Sequence, residues 1–243
     1  MMPRRYILCL VVVVLPALCG CKGSMTPGKM EWVQIDSTAP RAGNVYLIRG
    51  FIGLFSFGID RLTVKINEAG IRAHVFQEDQ WKQLARTIRE TYKNQPNHEP
   101  LILIGHSLGA DKTLWIAHEL KNEGITVDAI LTMDPTLPPD VPSNVRVCHN
   151  YYQPSVFDGL GILRGIALKQ EPGSTGKLIN YNIRAEHKEL LEPDTNHINV
   201  DKNTKIHAAI IARLLEICPP REEWARNHPR ARSSDEPPSP AGR

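Results

Sequence analysis

The run Gly105-His106-Ser107-Leu108-Gly109 follows the continuous apolar stretch Leu101-Ile102-Leu103-Ile104 and precedes a helical stretch from Ser107 to Lys121. A serine hydroxyl is a weak nucleophile unless a base takes its proton, and it must stand clear of the main chain to reach an acyl carbon. A sharp strand-to-helix turn exposes it in that way. Such a turn closes only where the residues two before and two after the serine lack side chains, so that strand and helix can approach. Gly105 and Gly109 meet that need, Ala110 keeps the helix start small, and the helix N-terminus aims partial positive charge at the reaction zone. A serine that merely capped the helix would account for neither glycine. The chemistry further needs a base that accepts and returns the proton, an acid that orients the base, and N–H donors for an oxyanion.

With that motif in that context the chain resembles the α/β-hydrolase family, in particular its compact lipases and esterases, over residues 44–217. The resemblance implies nucleophile, acid and histidine in chain order, so the partners lie after Ser107. The candidate histidines there are His149, His187, His197, His207 and His228. His149 lies inside a strand, His207 two turns into the final helix, and His228 in the C-terminal tail. His197, in Asp194-Thr195-Asn196-His197-Ile198-Asn199, falls between the last strand and the last helix, where the family places its base. His187 is the alternative, although Ala185-Glu186-His187-Lys188-Glu189 reads more readily as a solvated helical turn.

For the acid, Asp134 ends the strand after the elbow helix and Pro135 stops that strand; Asp158, one strand later, is the other position the family uses. The resemblance also implies an oxyanion hole from the backbone N–H groups of Leu108 and Phe51, the latter in Arg49-Gly50-Phe51 where the family carries His-Gly-x. Arg49 stands in place of that histidine and leaves open what orders the loop. The implied activity is a serine hydrolase of carboxylic ester or thioester bonds, needing no cofactor and acting on a small-molecule acyl substrate. An amidase or acyltransferase with the same triad is the enzymatic alternative. A non-catalytic hydrolase-fold lipoprotein binding envelope lipids or partners is the alternative of another class.

The elements that would position these residues alternate. A short β-rich run, Asn44 to Ile48, precedes a helical stripe of Ile59, Leu62, Thr63 and Ile66 that Gly70 ends, and a strand Ile71 to Phe76 follows. Trp81, Leu84, Ala85, Ile88 and Tyr92 form the stripe of the next helix; Trp81 and Trp115 read as core. Leu101 to Ile104 is apolar throughout, as in a strand buried on both faces of a parallel sheet. Strands from Val127 to Met133, Val145 to Tyr152 and Leu178 to Arg184 follow, and a last helix carries Ile206, Ala209, Ile210, Leu214 and Ile217. Right-handed strand-helix-strand units of this kind build a doubly wound, mostly parallel sheet flanked by helices. The apolar loop 52–58 reads as an acyl-pocket wall or a cover for the sheet edge, and 153–177 as a small lid.

A chain of 243 residues suits one domain of about 200 residues plus ends. Hydrophobic residues at 42% and charged residues at 23% exclude wholesale disorder and a polytopic membrane protein. The 29 Lys and Arg against 26 Asp and Glu leave +3, without the basic clustering that nucleic acid requires. The nine histidines show no HExxH, there is no CxxC, and no GxxxxGK[ST] or GxGxxG appears, so neither a metal site nor a phosphate cradle is indicated.

The ends read as separate pieces. Arg4 and Arg5 followed by an apolar run of about fifteen residues containing Pro16 form an export signal, since a spanning helix needs about twenty. Leu18-Cys19-Gly20-Cys21 resembles the bacterial lipobox, which makes residues 1–20 a signal peptide and Cys21 a lipidated first residue. The expected location is the cell envelope, at the outer membrane facing the periplasm. Residues 21–43 are expected to form a tether, with a short strand near Trp32 to Ile35. The hydrolase domain is expected over 44–218 and a disordered Pro-rich tail over 219–243. Cys148 and Cys218 remain after processing, and one disulfide or two buried free thiols are both open.

Overall fold

The computed structural model describes residues 26–50, 57–154 and 165–229. Six strands form one parallel sheet in the order β2-β1-β3-β4-β5-β6. They are β1 Asn44–Ile48, β2 Arg72–Phe76, β3 Leu101–His106, β4 Val127–Met133, β5 Val145–Tyr152 and β6 Lys177–Asn182. The helices are α1 Phe57–Glu68, α2 Trp81–Tyr92, α3 Leu108–Lys121, α4 Thr204–Ile217 and α5 Arg221–Asn227.

The period of two along each strand divides the core between the sheet faces. Tyr46, Ile48, Leu103 and Ile130 pack with Leu84 and Ile88 of α2 and Leu114 and Leu120 of α3. Val45, Leu47, Ile102, Ile104 and Leu131 pack with Ile59, Leu62 and Ile66 of α1 and Ile206, Ile210 and Leu214 of α4. β1 and β3 are buried at every residue, which is why their sequences read as unbroken apolar runs. Among the described residues no helix is long and apolar enough to cross a membrane.

Several expectations are corrected. Residues Met30–Trp32 form one 3-10 turn instead of a strand. The supposed tether packs on the domain from residue 26 onward: the Gly28 N–H donates to the Val75 carbonyl, Val33 is in the core, and Gln34 bonds the Tyr46 hydroxyl. The tail is ordered to residue 229, because Pro220 leads into α5 and Arg221 binds buried Glu99, Ser37 Oγ and the Arg41 carbonyl. Glu99 accepts further bonds from the N–H groups of Ser37 and Gly43, so one buried carboxylate ties both ends of the chain to the sheet. Trp115 is 43% exposed, since the stripe of α3 that faces the sheet is carried by Leu114, Ala117 and Leu120.

The described part of the expected lid, 165–176, lies against the sheet. A buried polar ladder holds it there: Thr132 Oγ donates to Asn150 Oδ1, and Asn150 donates to Asn180 Oδ1 and to the Ile166 carbonyl. Asn180 in turn exchanges two bonds with the main chain of Leu168.

Cys148 and Cys218 are free thiols. Cys148 belongs to the core on the α2/α3 face and Cys218 to the core on the α1/α4 face, so the sheet separates them. Burial pushes the Cys218 thiol up to about 12 and raises the Cys148 thiol further. The folded protein should therefore react with a maleimide at neither cysteine. In the protein lacking residues 1–21, denaturation without reductant should let both react, and intact mass would show two added labels.

Candidate active site

The elbow is built by two close approaches. A Cβ on Gly105 would lie 2.4 Å from the Gly109 carbonyl oxygen, and a Cβ on Gly109 would lie 2.4 Å from that of Ile48 and 2.3 Å from that of Arg49. Only bare backbone lets the start of α3 meet the ends of both β3 and β1. Between the glycines Ser107 takes φ 54° and ψ −127°, a conformation that costs about 1–3 kcal/mol for a residue with a side chain. Bonds on both sides hold it there. The Ser107 N–H donates to the Met133 carbonyl, and the Ser107 carbonyl accepts from the N–H groups of Ala110 and Asp111.

The structure brings Ser107, His197 and Asp134 together. Ser107 Oγ is 2.9 Å from His197 Nε2, and His197 Nδ1 is 3.4 Å from Asp134 Oδ2. With the serine donating to Nε2, the imidazole carries its proton on Nδ1, toward the carboxylate. The Nδ1 contact lacks hydrogen-bond geometry and Nδ1 has no other partner among the described residues, so the pair is aligned but not closed. Both His197 and Asp134 are buried, at 8% and 0% exposure, which strengthens their mutual field.

Asp134 stands at φ 47° just past β4, its N–H bonded to the Tyr151 carbonyl. Gln153, just past β5, grips its carboxylate: the main-chain N–H donates to Oδ1 at 2.8 Å and the side-chain amide to Oδ2 at 3.0 Å. Gly165 closes the other side, where a Cβ would lie 2.1 Å from Asp134 Oδ1. His197 sits in a loop folded by its own asparagines. Asn199 Oδ1 accepts the Asn196 N–H, and Asn196 Oδ1 accepts the Ile198 N–H. His106 Nε2 lies 2.8 Å from the His197 carbonyl oxygen.

The other histidines sit elsewhere. His149 stacks on Tyr181 in the β5–β6 region, His187 pairs with Glu189, and His228 stacks on Trp224. His207 lies in the first turn of α4, not two turns in, where its Nε2 donates to the Asp201 carbonyl. Leu108 opens α3 with its N–H at the helix start. Phe51, Asp158 and Cys21 lie outside the described residues. Arg49, which stands where the resemblance implies a histidine, forms a buried ion pair with Asp60 in the first turn of α1, at 2.8 and 2.9 Å. The pair joins the residues on either side of positions 51–56.

Gln153, Gly165 and Asp60 escaped the sequence reading. An end-of-strand glutamine and a loop glycine carry no periodic signal, and Asp60 is visible only as a carboxylate in the first turn of a helix. A hollow of about 970 Å³ lined by Asn97, Glu99, Arg221 and Trp224 lies at the opposite sheet edge, where β3 begins. Ser107 is not among its lining residues.

A parallel sheet wound on both faces, with a serine on a glycine-flanked turn after its central strand, is the α/β-hydrolase fold. No family model matches the chain, and no curated protein sequence matches it. Solved structures with similar folds include the esterase domain of a Rhodothermus marinus protein, at 16% identity and TM-score 0.42, covering 75% of this chain and 89% of that one. Est1E from Butyrivibrio proteoclasticus is 12% identical with TM-score 0.44, over 74% of this chain and 89% of its own. A serine hydrolase without a lid from Xanthomonas campestris is 14% identical with TM-score 0.38, over 82% and 86%.

The contact at Gly165 yields a test. Gly165→Ala should push the Asp134 carboxylate off its line to His197 and slow phosphonylation of Ser107 by a fluorophosphonate about a hundredfold, read by intact mass against time. An unchanged rate in a folded variant would show that Gly165 does not position the acid.

Proposed function

We propose that the protein is a serine hydrolase that cleaves carboxylic ester or thioester bonds through Ser107, His197 and Asp134 at the cell envelope. The observation that carries this reading is the 2.9 Å contact of Ser107 Oγ with His197 Nε2 on a turn that holds the serine clear of its own main chain. Ser107 Oγ attacks the acyl carbon as its proton passes to His197 Nε2. The resulting imidazolium is stabilised by the buried Asp134 carboxylate. The oxyanion is taken by the N–H of Leu108 and, on this reading, that of Phe51. His197 then gives its proton to the departing alkoxide or thiolate, leaving an acyl-serine. Water repeats the sequence through the same base and releases the acid.

Intact mass after treatment with a fluorophosphonate should show one adduct on the wild-type protein and none on Ser107→Ala. The variant should melt at the wild-type temperature while hydrolysis of p-nitrophenyl acetate falls by roughly 10⁵- to 10⁶-fold. A folded wild-type protein that forms no adduct would favour the non-catalytic binding reading instead.

The envelope location rests on the lipobox-like Leu18-Cys19-Gly20-Cys21. The full chain expressed in a bacterium should incorporate radiolabelled palmitate, and Cys21→Ala should incorporate none. Label retained in that variant would remove Cys21 as the anchor.

A further inference from the structure

We propose that His106 is a positioning residue for the hydrolysis, donating its Nε2–H to the main-chain carbonyl of His197 and so fixing the base over Ser107. This role rests on the serine-hydrolase reading above. His106 and Ser107 are neighbours at the end of β3, and they hold the same residue at two points. Ser107 Oγ meets the imidazole at 2.9 Å, and His106 meets the carbonyl at 2.8 Å. The two imidazole centroids are 5.5 Å apart and tilted by 41°. With the carbonyl held, the Cα of His197 has a fixed distance from the elbow, and only its side-chain torsions remain to aim Nε2.

A carbonyl oxygen can only accept, so His106 must carry its proton on Nε2. That leaves Nδ1 bare, and among the described atoms it has no partner. Burial lowers the ring's affinity for a second proton, while the Asp201 carboxylate exerts the largest opposing influence. The ring is thus a buried donor whose hydrogen bond ends on the catalytic loop. A residue required only to fill space here would leave no orphaned nitrogen.

The loop is held from behind as well. Asp201, four residues past His197, accepts the Gly58 N–H on its carboxylate and the His207 Nε2–H on its carbonyl. A Cβ on Gly58 would lie 2.0 Å from the Asp201 carbonyl oxygen, so α1 and this turn are in backbone contact. Asp201 thereby fixes the far end of the loop against α1 and α4. Its near end is held at Thr195, where Arg184 donates to the carbonyl and Asn203 to the hydroxyl, and at His197 itself by His106.

Two variants of matching length separate the donor from the shape. His106→Met removes the N–H, and His106→Gln keeps one at the same reach. Hydrolysis of p-nitrophenyl acetate is measured per serine titratable by fluorophosphonate, so that a smaller folded fraction does not register. His106→Met should lower kcat by about ten- to a hundredfold with KM within about twofold, and His106→Gln should recover to within about threefold of wild type. A methionine variant that turns over at the wild-type rate, or a glutamine variant that falls as far as methionine, overturns the role. If the methionine variant does not fold, ¹⁵N-histidine NMR of the wild-type protein decides. His106 as the neutral Nε2–H tautomer is expected, and the Nδ1–H tautomer overturns the proposal. A wild-type protein that forms no Ser107 adduct overturns the hydrolase reading itself, and the role with it.

Discussion

Three pieces of backbone touch at the elbow, and they touch because two residues have no side chain. Gly105 admits the carbonyl of Gly109, and Gly109 admits the carbonyls of Ile48 and Arg49. The first contact sets the sharpness of the turn and hence the exposure of Ser107. The second presses the start of α3 against the end of β1, so the loop after β1 begins beside the nucleophile. The strain at Ser107 is carried by main-chain bonds to β4 and to the first turn of α3, not by its hydroxyl, which stays free for His197. Substituting either glycine would move the helix, the serine and the base of that loop together.

The other two members of the proposed triad come from loops, and loops are positioned by polar contacts instead of by packing. Asp134 follows β4 but is aimed by Gln153 past β5 and confined by Gly165 in the segment beyond. The same segment is pinned to the sheet by the Thr132, Asn150 and Asn180 ladder, so the placement of the acid draws on three adjacent strands. Arg49 and Asp60 do corresponding work around the loop after β1. Burying such a pair costs desolvation of both ions, and removing one partner alone would strand the other charge. Their two-point geometry suits a contact that must fix a loop's ends and not merely attract them.

The strands, the helices and the elbow could be read from the chain because each has a local signature: runs of apolar residues, a stripe at helical spacing, or glycines at fixed offsets. His197 is singled out by the family resemblance, which implies a base between the last strand and the last helix, and the structure brings its Nε2 to Ser107 Oγ. Contacts between distant segments have no such signature. Nothing in the sequence says that Gly165 meets Asp134, or that Cys148 and Cys218 point to opposite faces of the sheet. Composition misled at the ends for a related reason. Residues 26–43 and 219–229 are polar and proline-bearing, yet they are ordered by Glu99, a carboxylate that local pattern would place in solvent. Trp115 sits on helical spacing with true core residues, and only the direction of the sheet shows that its side of α3 faces out.

The path of residues 26–43 also bears on how the site would meet a lipid surface. This segment does not enter at the edge where the strands begin. Its first described residues lie at the opposite edge: the Gly28 backbone is against the Phe76 ring and bonded to Val75 at the end of β2. Phe76 and Gly105 are both paired with Ile48 in the sheet, so Gly28 approaches at the level of the elbow, two strand spacings or about 10 Å away across the sheet. Six residues separate Cys21 from Gly28, and the seven Cα-to-Cα steps span at most about 25 Å. An acyl anchor at Cys21, as proposed, would therefore tether the domain from the Ser107 edge of the sheet and not from the Glu99 edge. In that orientation an amphiphilic ester would reach the serine without the domain having to turn over. Residues 29–43, running back along the sheet to β1, would serve to set that orientation more than to lengthen a spacer.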